Sequence, residues 1–189
     1  YRVSKQADVL MLLYLFSARE LRGVLAELGY DFPSEMIPAT VDFYLARTTH
    51  GSTLSHVVHA WVLARTDRRR SGQMLGLALG TDLSDLNQGT TREGIHLGAI
   101  TGTLDLLQRC YPGLQVRQDV LRLDPQLPED LHNIDLVLRY RDHPINLVID
   151  HARVVVRSLA PAGPPINVEI QGTRHVLTPG AAVSMPLTG

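Results

Sequence analysis

The hydrophobic period of this chain changes near residue 113, and that change divides whatever it folds into. Before Pro112 the apolar residues recur at helical spacing. After Gly113 they alternate: Ile134, Leu136, Leu138 and Tyr140 are interleaved with Asp135, Val137, Arg139 and Arg141. A period of 3.6 puts one apolar stripe on a helix, and a period of two puts one apolar face on a strand. We therefore expect a helical domain over residues 1–112 and an antiparallel β-domain over residues 113–189, an α+β chain.

Six helices are expected in the first part, over residues 7–16, 18–28, 34–46, 54–65, 70–83 and 95–110. The first is apolar on nearly every side, as a helix buried among helices is. Gly29 stops the second, and Ser34 is placed to cap the third, with Pro38 in its early turns. Gly72, Gly76 and Gly80 weaken the fifth. Gly98, Ala99 and Gly102 leave the sixth a narrow face for close helix contact. In the second part, Asp142-His143-Pro144 reads as a turn between two alternating runs. Val154 and Val156 continue the pattern, and Ile166, Val168 and Ile170 form a further strand. Such a meander fits a β-sandwich or jelly roll.

The 189 residues carry a net charge of -1, which gives no electrostatic case for nucleic acid or for an anionic membrane surface. No apolar run is long enough to span a bilayer. One cysteine, Cys110, excludes an internal disulfide and fits a reducing, cytoplasmic compartment. No secretory leader is visible. The chain starts Tyr1-Arg2-Val3 without an initiator Met, and we expect it to be a piece of a longer protein.

Within the helical part, Thr48-Thr49-His50-Gly51-Ser52-Thr53-Leu54-Ser55 leads directly into the apolar run Val57–Ala64. Ser52, Thr53 or Ser55 is placed to cap that helix. The free N–H groups and the dipole at a helix start also favour an anion, phosphate above all, and Gly51 removes a Cβ from its path. The local pattern alone leaves both readings open, an ordinary capped helix or an anion site. Lys5 is the one lysine among 18 basic residues. Lysine is a compact point charge where arginine is a wide planar fork, so a tight polar pocket admits the first and rejects the second. A solvated surface position is the alternative.

Other constellations are weaker. His56 and His59 lie one helical turn apart without a carboxylate or cysteine at metal-binding spacing, and no metal site is expected. His132, His143, His151 and His175 fall in turns or at strand edges, where solvent reaches them. Asp82, Asp85 and Asn87 make an ill-formed cation loop with Gly and Glu misplaced. Arg68-Arg69-Arg70 reads as a solvated helix start. No Gly-x-Ser-x-Gly elbow supports a serine hydrolase.

Three segments in order resemble the glycoside hydrolase family 65 phosphorylases, among them trehalose, maltose and kojibiose phosphorylases. They are Lys5-Gln6-Ala7-Asp8-Val9, Thr49-His50-Gly51-Ser52-Thr53-Leu54-Ser55, and Glu93-Gly94-Ile95-His96-Leu97-Gly98-Ala99 followed by Gly102-Thr103. Each motif alone is weak, and the ordered set covers nearly the whole chain. The resemblance implies the last part of an (α/α)6-barrel catalytic domain followed by a jelly-roll-like C-terminal domain. It implies inverting phosphorolysis of an α-glucoside to β-glucose 1-phosphate, with inorganic phosphate as co-substrate and no metal or organic cofactor. It places Lys5 and Gln6 on the sugar, and His50, Gly51, Ser52, Thr53 and His96 on phosphate. Thr53 stands where many family members have Ser, and Ile100-Thr101 departs from the family pattern in a way that touches packing.

The family's proton-donating glutamate lies before the Lys-Gln motif. Glu20, Glu27, Glu35, Glu93, Glu129 and Glu169 do not stand in its context, so the general acid is expected upstream of this chain. The isolated chain is then expected to be inactive, and to self-associate through helical faces that a barrel would cover. Two other functions stay open, a hydrolase using water on the same fold and a noncatalytic carbohydrate-binding or assembly module.

Overall fold

The computed structural model describes residues 3–86 and 89–187. Tyr1, Arg2 and Asn87 lie outside the described residues. The chain forms two compact units, Tyr1–Leu106 and Leu107–Gly189.

The first unit is helical: α1 (Met11–Leu15), α2 (Ala18–Glu27), α3 (Met36–Leu45), α4 (Leu54–Leu63), α5 (Arg68–Leu79) and α6 (Leu97–Asp105). Most are shorter than their apolar patterns, because local chemistry sets the ends. Ser17 and Glu20 close a reciprocal capping box that starts α2. Asp67 caps α5 by accepting the Arg70 N–H, which moves that helix start forward to Arg68. Ser34 does not cap α3: its side chain accepts from Arg22, and Glu35 takes the cap position without a side-chain bond. A π-turn over Leu106–Cys110 follows α6.

The core of this unit centres on α4, which is buried on nearly every side. Val58 and Leu63 pack with Ala7, Leu10 and Val41. Burial of one such aliphatic side chain is worth about 1.5–3 kcal/mol. Helix α6 crosses α4 at Gly102, where a Cβ would come within 2.7 Å of Val57 Cγ1. Gly102 therefore sets the separation of the two helices. Gly98, with nothing within 4 Å of a built Cβ, does not take part.

The second unit holds two four-stranded sheets, β1-β2-β6-β7 and β3-β4-β5-β8. Their strands are β1 (Gln115–Arg117), β2 (Val120–Leu123), β3 (Asn133–Tyr140), β4 (His143–Asp150), β5 (Arg153–Ser158), β6 (Ile166–Ile170), β7 (Thr173–Leu177) and β8 (Ala182–Pro186). Burial alternates along β4, with His143, Ile145, Leu147 and Ile149 buried. The turn before β4 sits one step earlier than the sequence indicates. Arg141 and Asp142 both take the left-handed conformation, as a two-residue primed turn demands, and Tyr140 pairs with His143. The β-domain is not wholly antiparallel: β2 pairs with β6 in parallel, from Val120 opposite Asn167 to Leu123 opposite Ile170. The intervening chain builds β3, β4 and β5 of the other sheet, so β6 returns in the direction of β2.

Candidate active site

The Lys5 segment and the His50 turn meet in the structure although 45 residues separate them. Ser4 pairs in parallel with Thr48, and Thr49 N–H donates to the Ser4 carbonyl at 2.9 Å. Gly51 N–H donates to the Lys5 carbonyl at 2.8 Å. The Lys5 side chain runs over Gly51, where a Cβ would lie 2.9 Å from Lys5 Cγ and 3.3 Å from Cε. This corrects the reason for the glycine. Gly51 accommodates Lys5, and its N–H is committed to the Lys5 carbonyl rather than open to a ligand. Lys5 is exposed, and the Gln6 side chain donates to Asp8 Oδ1 at 2.8 Å.

Residue 50 carries the turn. His50 has a φ of 54°, left-handed for a residue with a side chain. Such a conformation costs of order 1–3 kcal/mol and persists where the surroundings fix it. Here two histidines of α4 do so. The His50 ring stacks on His56, with centroids 4.7 Å apart and planes 9° from parallel, and meets His59 edge-on at 4.8 Å. His59 is fully buried, and neither of its ring nitrogens has a hydrogen-bond partner. Burial lowers the pKa of all three, most for His59, to about 4, where charges at His50, His56 and Arg70 add to the effect. Burial thus favours the neutral form of all three rings. Among the described residues no group of three or more metal-ligating side chains is arranged to hold an ion.

Ser52 and Thr53 stand just before α4, but not as caps. Thr53 occupies the cap position in helical conformation, without a side-chain hydrogen bond, and Ser52 contributes its carbonyl to the Ser55 N–H at 3.0 Å. Ser55 is buried, and its hydroxyl has no partner. The expected hydroxyl caps are therefore absent from α4. A helix start whose hydroxyls make no capping bond has polar groups to give to a ligand.

His96 precedes α6 and is gripped by Asp82. The Asp82 carboxylate accepts the His96 main-chain N–H at 2.9 Å and lies 2.5 Å from ring Nδ1. Bonds from the ring first, and then from the main chain, hold the Asp82 carboxyl below the usual carboxylate range. The recorded bonds thus join Lys5 to Gly51, and His96 to Asp82 rather than to the His50 turn.

Sequence reasoning did not find the part His50 plays beside His56 and His59, nor the pairing of Asp82 with His96. Neither leaves a periodic signal. Asp82 stood out only in the ill-formed cation loop, whose second carboxylate, Asp85, accepts the Gly89 N–H at 2.8 Å. His143, expected in solvent, is buried, with Nδ1 3.3 Å from Ser158 Oγ.

Comparison with known proteins bears on the family. Residues 1–105 match the central catalytic domain of glycosyl hydrolase family 65, and residues 114–177 match the C-terminal domain of the same family. The chain belongs to glycosyl hydrolase family 65. It is 51% identical over 172 residues to an uncharacterised glycosyl hydrolase of Mycobacterium tuberculosis, covering 91% of this chain and 13% of that protein. It is 32% identical over 161 residues to trehalose 6-phosphate phosphorylase of Lactococcus lactis, covering 85% of this chain and 21% of that enzyme. The family chain also shares its fold with a human-microbiome protein assigned as a kojibiose phosphorylase. The TM-score is 0.78 at 22% identity, over 100% of this chain and 25% of that one. The chain thus spans about a fifth or less of the curated relatives it matches. No helix among its described residues is long and apolar enough to cross a membrane.

Proposed function

We propose that this chain is the sugar- and phosphate-binding part of an inverting glycoside phosphorylase acting on a trehalose- or maltose-type α-glucoside. The observation that carries the reading is the laying of Lys5 across Gly51. It joins the Lys-Gln motif to a helix start rich in hydroxyls that make no caps. In this reading Lys5 and Gln6 bond sugar hydroxyls, and Ser52, Thr53 and His96 bond inorganic phosphate, with His50 and Gly51 shaping the turn. Phosphate attacks the anomeric carbon as a glutamic acid from outside this chain protonates the leaving oxygen, giving β-glucose 1-phosphate. No organic cofactor or metal is required. Residues 1–112 complete an (α/α)6 barrel with the upstream part of the protein, and residues 113–189 form the C-terminal domain, in the cytoplasm.

The test is the full-length protein with trehalose, its 6-phosphate, maltose and kojibiose, each with and without phosphate. Phosphate-dependent release of β-glucose 1-phosphate is expected from one of them. Release of glucose at the same rate without phosphate would replace this reading with hydrolysis. The 51% identity to a glycosyl hydrolase keeps that second reading in play. The 189-residue chain alone should release no sugar phosphate, and should self-associate through helical side chains such as Leu97, Ile100 and Leu104, which are 63%, 41% and 51% exposed. A monomer by light scattering would contradict that association.

A further inference from the structure

Asp82 and His96 are 14 residues apart, the first in the turn after α5 and the second just before α6. Both are mostly buried, with side-chain exposures of 17% and 23%. One carboxylate oxygen takes the His96 main-chain N–H, and the other sits 2.5 Å from Nδ1. An ionised carboxylate only accepts, so the short contact requires a proton on Nδ1. Which ring nitrogen of a histidine is left for a ligand is set by the bond the other one makes.

We infer that Asp82 is a positioning residue that fixes the His96 ring with Nδ1–H on the carboxylate and Nε2 turned over to an anionic oxygen. The inference rests on His96 facing phosphate, as proposed above. With Nδ1 committed, Nε2 takes the proton of a phosphate hydroxyl, which leaves the phosphate one charge more negative, and the positive charge gained by the ring is balanced by Asp82. The second bond, to the main chain, holds the backbone from which the ring projects, so that the ring swings neither about its χ angles nor with its loop. Phosphate then meets a ring nitrogen already aimed, which avoids an ordering cost on binding.

The experiment uses the full-length protein labelled with 15N in its histidine rings, with His96→Gln identifying the His96 signals. In the wild type the neutral ring should carry its proton on Nδ1. That spectrum needs no substitution at Asp82, and a proton on Nε2 would overturn the inference by itself. Asp82→Asn keeps the size and an oxygen for the main-chain N–H, but its amide donates to Nδ1. The proton should move to Nε2, where it donates to phosphate from a neutral ring that no carboxylate helps to charge. The KM for inorganic phosphate should then rise about tenfold, the order expected when a charged donor becomes a neutral one. The KM for the disaccharide should stay nearly constant. An unchanged phosphate KM in Asp82→Asn, where His96→Gln raises it, would refute the role of Asp82. An unchanged phosphate KM in His96→Gln would instead refute the placement of His96 on phosphate, and the tautomer would still decide whether Asp82 sets the ring.

Discussion

Mild acid should loosen the helical unit, and His59 sets the amount. The ring is fully buried with both nitrogens unpartnered, so a proton added there is a charge without solvent or acceptor. Its pKa falls from 6.5 to about 4 on folding. Between those values the unfolded chain binds the proton and the native one does not, so stability falls as pH falls. From about pH 6.5 to about pH 5 the loss accumulates at roughly 1.4 kcal/mol per pH unit, about 2 kcal/mol in all. His50 and His56, also lowered, push the same way. Asp82 and Asp150 do not contribute over this range. Their carboxyls are held low, so what they add to stability is lost only as pH falls through values below the ordinary carboxylate pKa.

Trp61, two residues from His59 on α4 and edge-on to Tyr14 at 4.8 Å, supplies the probe. Urea unfolding followed by its fluorescence at about pH 7 and about pH 5 should show the loss. His59→Leu should shrink the difference between the two conditions by about 2 kcal/mol. Equal stability of the wild type at both pH values, or a His59→Leu protein that retains the whole difference, would refute a neutral buried His59.

Gly102→Ala should destabilise by about 1–3 kcal/mol, because its Cβ would sit 2.7 Å from Val57 Cγ1. Adding Val57→Ala should recover part of that loss, and two independent, additive effects in denaturant titrations would contradict direct contact. Gly51→Ala puts a methyl group 2.9 Å from Lys5 Cγ and 3.2 Å from its carbonyl oxygen. It should lower kcat/KM of the full-length protein at least as much as it lowers stability, and normal kinetics would show that Lys5 need not lie there. If Lys5 bonds sugar as proposed, Lys5→Arg should impair turnover far more than Arg19→Lys, since a planar guanidinium does not replace a compact ammonium. Equal activity of the two variants would make Lys5 a surface residue.

The amino-acid sequence by itself determined the change from helices to strands and the positions of six apolar helical runs. Its ordered motifs also carried the family. Periodicity and motif order are local properties, and they survive without knowledge of the partner element. Helix limits were less legible, because one capping side chain moves them: Asp67 starts α5 at Arg68, and Ser34 turns to Arg22 instead of capping α3. Gly102 was legible as a close-contact residue by its size, whereas Gly98, one turn away, looked the same and would have room for a Cβ.

Tertiary structure alone decided the rest. The parallel pairing of β2 with β6 depends on a whole sheet built between them in the chain. Lys5 reaches Gly51 through a backbone bridge between Ser4 and Thr48, and backbone bonds have no residue code. His50 joins His56 and His59 only because a left-handed φ turns it back onto α4. Asp82 meets His96 across a 14-residue loop, where neither helical nor strand periodicity relates two positions. These pairings are set by where elements pack, and packing is a property of the folded chain.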